Sequence, residues 1–198
     1  GAGRTICMVR AGIDPGSRLT GFGVIDVRGR QMRHVVHGTF KLANTHGKAT
    51  IPLQHRLLDL YQQLSQLILE FKPQVMSLER VFFAKNPVSA LKLGQARGAA
   101  MLTGAIHSLE IFEYNPTEVK SAVVGHGRAE KEQVAKMIEL ILGKREFGTT
   151  DASDALALAV CHARMTLQGV AQKNQKDAFR KTRSGLSLAE ALGIKTKE

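Results

Sequence analysis

The sequence has little of several residue types that would define other classes of protein. Its 198 residues include no tryptophan, two cysteines and only 5% aromatic residues. Cys7 and Cys161 are too few for a disulfide framework or a four-cysteine zinc site. No apolar run approaches the roughly 18 residues that a membrane span requires, and the first residues lack the pattern of a secretory signal. We therefore expect a protein of the reducing cytoplasm with no membrane association.

Negative charge is also scarce. Lysine and arginine number 28 against 17 acidic residues, which gives a net charge of +11 and a pI near 10.0. Residues 170–198 hold seven basic and three acidic residues, so the rest of the chain keeps a net charge of +7. Since the excess is not confined to the tail, a polyanionic partner is favoured, most often a nucleic acid. A basic protein that is merely soluble is the alternative.

The order of apolar patterns predicts an α/β fold in one domain over residues 1–168, followed by a basic appendage over 169–198. Three strands are predicted first, over 5–13, 19–27 and 31–41. Helices over 51–71, 86–109, from 116, over 130–142 and over 150–168 then alternate with short strands over 75–78 and 111–114. This order predicts a mixed five-stranded sheet, three antiparallel strands and then parallel ones, with helices on both faces.

Four acidic residues stand where such a fold collects functional groups. Asp14 and Glu79 each end a predicted strand, and Asp151 and Asp154 lie three apart in the first turn of the last helix. Open sheets place their sites at the carboxyl ends of their strands, so the four can converge. Carboxylate oxygens suit Mg²⁺ or Mn²⁺ rather than zinc. Ordinary caps and surface acids are the alternative, above all for the helix pair, which the helix dipole favours in any case.

Several longer motifs carry a resemblance to a known family. They are GIDPGS at 12–17, TGFGV at 20–24, LERVFFAKN at 78–86, ALKLGQARG at 90–98, FEY at 112–114, VK at 119–120, VVG at 123–125, AEK at 129–131 and DASDALA at 151–157. Together they resemble the RuvC family of bacterial Holliday junction resolvases over roughly residues 6 to 166. The departures are the loop at 44–50 and the tail after 168, and neither touches a motif.

The resemblance implies a ribonuclease H-like fold and a homodimer that resolves four-way DNA junctions in recombination and repair. It assigns the metal ligands to Asp14, Glu79, Asp151 and Asp154, with two Mg²⁺ ions per site and Mn²⁺ as a substitute. Asp151 stands where some members have histidine. The resemblance also implies cooperation with the branch-migration proteins RuvA and RuvB, in the bacterial cytoplasm near the nucleoid.

Several residues are expected to contact DNA. The resemblance gives Lys120 and Lys131 roles in cleavage and strand contact, and Phe82 a role in stacking on an unpaired base. Core packing is the alternative for Phe82 and Phe83, and solvated surface is the alternative for the basic residues. The full set of expected contacts is Phe82, Phe83, Lys85, Lys92, Arg97, Lys120, Arg128 and Lys131.

A four-way junction has two-fold symmetry, and a C₂ dimer would supply two matched active sites. Within the helix predicted over 86–109, Ala90, Gly94 and Gly98 recur every four residues. Interior glycines cost up to about 1 kcal/mol each against alanine, so a close neighbour is expected to offset the loss. This side of the helix is therefore a candidate for sheet packing or dimer contact.

The seven histidines give no pattern typical of a metal site. His34 and His37 are an odd number of positions apart in a predicted strand, so they are expected on opposite sides of it. His126 lies in a predicted loop, where it could meet a phosphate, although a plain surface histidine is the simpler interpretation.

Three other functions compete with the nuclease. A non-catalytic nucleic-acid architectural protein would keep the basic charge but would need no acidic cluster. An actin-like ATPase or sugar kinase shares the turn at Asp14–Ser17 but requires a second lobe, for which this chain is too short. A ribosomal-RNA processing relative shares the fold and the first motif, but it does not explain the segment from 82 to 98.

Overall fold

The computed structural model describes residues 7–42, 51–80, 86–143 and 147–169. Within these ranges the strands are β1 (Cys7–Asp14), β2 (Leu19–Arg28), β3 (Gln31–Lys41), β4 (Val75–Glu79) and β5 (Glu110–Tyr114). The helices are α1 (Leu53–Phe71), α2 (Pro87–Ile106), α3 (Pro116–Val124), α4 (Lys131–Leu142) and α5 (Thr150–Leu167). Their order is the predicted one, and α2 ends three residues earlier than expected.

The five strands form one sheet in the order β3-β2-β1-β4-β5. β2 is antiparallel to both β1 and β3, whereas β4 is parallel to both β1 and β5. The predicted mixed sheet is therefore confirmed. Because β1, β4 and β5 run in the same direction, Asp14, Glu79 and Tyr114 all lie at one edge of the sheet.

One face of the sheet is apolar and is covered by α1 and α2. Ala11 and Ile13 of β1 and Met76 and Leu78 of β4 are fully buried there. Leucines and one isoleucine of α1 recur at helical spacing and pack against them, because that spacing puts them on one side of the helix. The buried residues of α1 in this cluster are Leu60, Leu64, Leu67 and Ile68.

The opposite face is covered by α5, which lies unusually close to the strands. A Cβ atom at Gly12 would overlap the backbone carbonyl of Ala155, and one at Gly21 would overlap that of Asp151. Eleven of the 18 residues of α5 are buried as a result. The prediction of helices on both faces is confirmed, and these glycines are the reason that α5 can approach.

The expectation that His34 and His37 face opposite sides of their strand is wrong. Val24 pairs with Val36 and Ile25 pairs with His34, so Val35 is an extra residue on β3. Such a bulge inserts one residue and shifts the alternation of side chains. The two imidazoles therefore meet, with 2.7 Å between His34 Nε2 and His37 Nδ1.

The glycine-spaced side of α2 does not pack on the sheet. Among the described residues, and apart from the adjoining backbone of α2 itself, no atom lies within 4 Å of a Cβ built at Gly94 or at Gly98. Leu91 and Leu102 on the same side are 69% and 61% exposed. The expected close neighbour is thus absent from the described part of this chain, and dimer contact is the interpretation left open.

The chain divides into two compact units, residues 1–164 and residues 165–198. Only 165–169 of the second unit are described, so nearly all of the expected basic appendage lies outside the described residues. Across the described ranges, none of the helices combines the length and apolar character that crossing a bilayer would need.

Candidate active site

The four predicted carboxylates face one cavity at the carboxyl edge of the sheet. The cavity has a volume of about 320 Å³ and also receives two lysine side chains. Apolar side chains form the rest of its wall. The lining residues are Asp14, Glu79, Pro116, Val119, Lys120, Lys131, Val134, Asp151, Asp154, Ala157 and Leu158.

Strand alternation places Asp14 and Glu79 on the same side of the sheet. Ile13 pairs with Leu78 in the parallel ladder, and both are buried in the apolar face. The residues that follow them, Asp14 and Glu79, therefore point to the α5 face, since successive strand residues alternate in direction. At this face the first turn of α5 crosses β2 at Gly21, the partner of Asp14 in the antiparallel ladder.

The carboxylates of the cavity are partly buried and lie close enough to one another to raise the pKa of Asp14 and of Glu79. Burial raises the pKa of Asp14 to about 7. The charges of the three other carboxylates act in the same direction, and the Lys131 ammonium opposes them. Burial also raises the pKa of Glu79, with the charge of Asp154 adding to the shift. The site thus holds more negative charge than its own residues neutralise.

The donor set fits a hard divalent cation, because it offers carboxylate oxygens from three separate elements. Within the described ranges, no three His, Cys, Asp or Glu side chains are close enough together to hold a metal ion as they stand. Instead, the Nζ atom of Lys131 lies 3.3 Å from Oδ2 of Asp154. The Lys131 side chain is 72% exposed, so this ion pair is weak and leaves Asp154 available to a cation.

Two short helices bring the lysines to the cavity. The Asn115 amide donates to Oε2 of Glu118 at 2.7 Å at the start of α3, and the Glu130 amide donates to Oε1 of Gln133 at 2.9 Å at the start of α4. These capping interactions satisfy backbone donors that the first helical turn leaves free. They fix the starts of the helices that carry Lys120 and Lys131. Asp154 raises the pKa of Lys131 and keeps it charged.

Buried polar side chains anchor α5 further along the same face. The Tyr114 hydroxyl forms a 2.7 Å hydrogen bond with Nδ1 of His162, and both residues are buried. Burial, and then the charge of Arg10, lowers the pKa of His162 to about 3, so the imidazole is neutral. This hydrogen bond joins the carboxyl end of β5 to α5. Sequence patterns alone did not indicate it.

The other expected DNA contacts lie in different settings. Lys92 is exposed on α2, and Arg128 is exposed between α3 and α4. Arg97 forms internal contacts instead, with the Glu79 carbonyl and the Glu113 carboxylate. Phe82, Phe83 and Lys85 lie outside the described residues, so their expected roles stay predictions.

A second cavity of about 430 Å³ adjoins the first and was not expected from the sequence. The two share Lys131 and Asp154, and the outer part of the second is formed by Phe147, Thr149 and Ser153. No motif marks it, because its walls come from α4, from the start of α5 and from the residues just before α5.

This sheet order, with carboxylates from β1, β4 and α5 around one cavity, defines a protein with a ribonuclease H-like fold. Comparison with solved structures agrees. Thermus thermophilus RuvC in complex with Holliday junction substrate superposes with a TM-score of 0.75 at 34% identity, over 83% of this chain and 98% of that one. The yeast mitochondrial Holliday junction resolvase Ydc2 superposes with a TM-score of 0.60 at 17% identity, which supports the fold alone.

Sequence comparison gives the family. Residues 10–162 match the family described as Crossover junction endodeoxyribonuclease RuvC. The protein of that name from Idiomarina loihiensis is 45% identical over 174 residues, covering 85% of this chain and 97% of the relative. The one from Syntrophotalea carbinolica is 48% identical over 152 residues, covering 77% and 91%. The chain belongs to the RuvC family of crossover junction endodeoxyribonucleases.

Proposed function

We propose that this protein resolves four-way DNA junctions by metal-dependent hydrolysis of phosphodiester bonds, with Asp14, Glu79, Asp151 and Asp154 as the catalytic metal ligands. The observation that carries the proposal is the convergence of these carboxylates on one cavity, in a chain of the RuvC family. A non-catalytic architectural protein would have no use for a half-buried acidic cluster of this kind. The basic charge of the chain would attract DNA, and the four carboxylates would form the catalytic site.

The metal proposed for this site is Mg²⁺, with Mn²⁺ as a substitute and two ions in each site. When bound, such a pair would activate a water on one side of the phosphate and stabilise the departing 3′ oxygen on the other. Four carboxylates carry four negative charges, which two divalent cations cancel. The raised pKa values of Asp14 and Glu79 support this assignment, because burial and the neighbouring carboxylate charges disfavour their charged forms, which a bound cation would stabilise.

The chain's own residues orient the substrate around these ligands. Lys120 and Lys131 line the cavity, and each would present an ammonium group to a phosphate bound there. The weak ion pair with Asp154 puts the Lys131 ammonium beside the ligands, where a phosphate could take the place of the carboxylate. Lys85, Lys92 and Arg128 would contact phosphates farther along the strand. Each neutralised phosphate adds about 0.9 to the slope of log affinity against log salt.

Phe82 and Phe83 are proposed to meet unpaired bases at the crossover. A base stacked on an aromatic ring is worth roughly 1–3 kcal/mol by alanine substitution. Phe82→Ala is therefore expected to weaken cleavage by about tenfold or more and to leave the melting temperature nearly unchanged. A large drop in melting temperature would instead assign the ring to the core.

A homodimer is proposed on the glycine-spaced side of α2. Gly94 and Gly98 leave the backbone open there, and the leucines beside them are largely exposed. Two copies related by a two-fold axis would present two cavities to a symmetric junction. The further partners and location proposed from the family are RuvA, RuvB and the bacterial cytoplasm around the nucleoid.

The test of substrate is cleavage of a synthetic four-way junction with and without Mg²⁺, beside a linear duplex and an RNA–DNA hybrid. We expect paired cuts in the junction that require the metal, with little cutting of the other two. Equal cutting of all three would leave a nuclease and remove the junction assignment.

The test of the site is Asp14→Asn, assayed separately for junction binding and for cleavage. We expect cleavage to fall by at least about 100-fold, since even outer-shell partners of a metal cost about 10–100-fold. Junction binding in EDTA should survive. The matched control is Glu70→Gln, an exposed carboxylate of α1 beyond the opposite face of the sheet. Near-normal cleavage by Asp14→Asn would eliminate Asp14 as a ligand.

A further inference from the structure

Arg97 does not stand as a free cation on the surface of α2. Its Nε atom donates to the backbone carbonyl of Glu79 at 3.2 Å. Another nitrogen of the same guanidinium pairs with the Glu113 carboxylate. The side chains of Arg97 and Glu113 are only 21% and 28% exposed. These contacts occupy two of the three guanidinium nitrogens, so little of the side chain is left to meet a phosphate.

The contacts lie on the side of the sheet away from the cavity. Glu113 of β5 pairs in the parallel ladder with Leu78, whose side chain is buried in the apolar face. Glu79 follows Leu78, so its carboxylate points to the α5 face and into the cavity. Arg97 therefore reaches the backbone of Glu79 from behind the sheet, while the side chain of Glu79 projects to the front.

Two hydrogen bonds then hold the backbone at the end of β4. The amide of Arg80 donates to the carbonyl of Tyr114 at 2.8 Å, and the carbonyl of Glu79 accepts from Arg97. Together they fix the peptide unit that follows Glu79. A hydrogen bond from a charged donor is roughly twice as strong as a neutral one, and the ion pair with Glu113 keeps the donor in place.

We propose that Arg97, held by Glu113, is a positioning residue that sets the direction of the Glu79 carboxylate from the opposite face of the sheet. The proposal rests on the proposed function, in which Glu79 is a metal ligand. Residues that orient a metal ligand typically change metal affinity 10–100-fold when they are replaced. Arg97 thus acts on the metal rather than on the DNA phosphates.

The test compares Arg97→Gln and Glu113→Gln in three measurements on the full chain. These are Mn²⁺ binding by calorimetry without DNA, junction binding in EDTA across a salt series, and the Mg²⁺ concentration for half-maximal cleavage. Both variants are expected to weaken Mn²⁺ binding about 10–100-fold and to raise the required Mg²⁺ accordingly. Junction affinity and its salt slope should stay at the wild-type value.

Glu113→Gln separates the proposal from a phosphate role. If Arg97 bound phosphate, releasing it from Glu113 would leave junction binding equal or tighter and Mn²⁺ binding unchanged, which would overturn the proposal. A salt slope reduced by about 0.9 in Arg97→Gln with normal Mn²⁺ binding would overturn it as well. The variant that carries both Arg97→Gln and Glu113→Gln should bind Mn²⁺ no more weakly than the single variant with the lower Mn²⁺ affinity. The effects of two coupled residues are not additive.

Further variants guard against a trivial loss of folding. Arg97→Lys keeps the charge but not the fork of donors, so we expect intermediate Mn²⁺ affinity with a normal melting temperature. If Arg97→Lys and Arg97→Gln both bound Mn²⁺ with wild-type affinity, the proposal would be overturned. The charge-matched control is Arg30→Gln, in the turn at the opposite end of the sheet. If Glu79→Gln leaves Mn²⁺ binding unchanged, it is the proposed function that fails.

Discussion

On the side of the sheet covered by α1 and α2, the strands present Ala11, Ile13 and Met76, all fully buried against leucines. On the side covered by α5, the same strands present Arg10, Gly12 and Ser77. The first side gains stability from apolar area removed from water. The second side presents small and polar residues in place of large apolar ones. A helix backbone can therefore come close to the strands and bring two aspartates to two strand ends. The first face therefore holds the leucine packing of α1, and the second holds the carboxylates of the cavity.

The largest effect on stability is expected on the apolar face. Leu64→Ala should lower the free energy of unfolding by about 2–5 kcal/mol, because a fully buried leucine leaves a cavity. Urea denaturation measures it. The control is Leu58→Ala on the same helix, which is 54% exposed and should cost less than about 0.5 kcal/mol. If the folded Leu64→Ala protein lost cleavage, the division between the faces would be contradicted.

On the α5 face, Gly21→Ala should cost about 1–3 kcal/mol, since the new Cβ would overlap the Asp151 backbone. Unlike Leu64→Ala, it should abolish most cleavage in the folded protein, because the first turn of α5 must move away. Cleavage at a temperature well below melting, beside urea denaturation, measures both effects. Gly94→Ala has open space around it within one chain, so in the monomer it should be neutral or stabilising by up to about 1 kcal/mol, and a loss of stability would report on the proposed dimer contact. Wild-type cleavage by Gly21→Ala would show that cleavage does not depend on the close packing of α5 against Gly21.

The charges of the α5 face predict a pH dependence in metal-free protein. The pKa of Asp14 in the folded protein is about 7, above its ordinary value of 3.8, so the folded state holds the proton of Asp14 to higher pH than the unfolded state does. This contribution to stability is complete below pH 4 and is lost as pH rises through 7.

Asp14→Asn removes the ionisable group and with it the loss of stability at high pH. The variant should match the wild type near pH 3.5 and exceed it by roughly 1–3 kcal/mol at pH 8. Urea denaturation in EDTA at both values measures it, with Glu70→Gln as the control. Equal stability of Asp14→Asn and wild type at pH 8 would show that ionised Asp14 does not destabilise the folded protein.

The smallest effect concerns the anchor of α5. Tyr114→Phe removes the hydrogen bond to His162 and should cost about 1 kcal/mol, somewhat more if Nδ1 is left without a partner. Thermal unfolding measures it. Tyr61→Phe, on the partly exposed side of α1, should stay within about 0.5 kcal/mol of wild type. A similar loss in both variants would mean that the buried polar pair adds nothing specific to this face.

Much of this architecture could be predicted from local pattern. The change from alternating to helical spacing near residue 51 separates the hairpin strands from α1, and Pro87 and Pro116 mark the starts of α2 and α3. The four carboxylates could be named because they lie in motifs of a known family at strand ends and in a helix start. These features depend on residues close together in the chain.

Other features could not be predicted, since they depend on contacts between distant segments. A single bulge at Val35 reversed the expected directions of two histidines. Arg97, expected to bind phosphate, found its partners 16 and 18 positions away on two neighbouring strands. The glycines at 12 and 21 resembled parts of turns and strands in the sequence, and only the packed helix showed why a side chain has no room there.

By itself, the sequence determined the order of strands and helices, the basic charge and the identity of the acidic residues, because propensity, periodicity and composition act over short stretches of chain. The tertiary structure alone decided which of those residues share a cavity, how far burial raises the pKa of Asp14, and that Arg97 faces the backbone of Glu79 rather than solvent. Desolvation and charge coupling arise only when remote segments pack together, so they follow from the fold and not from the spacing of residues.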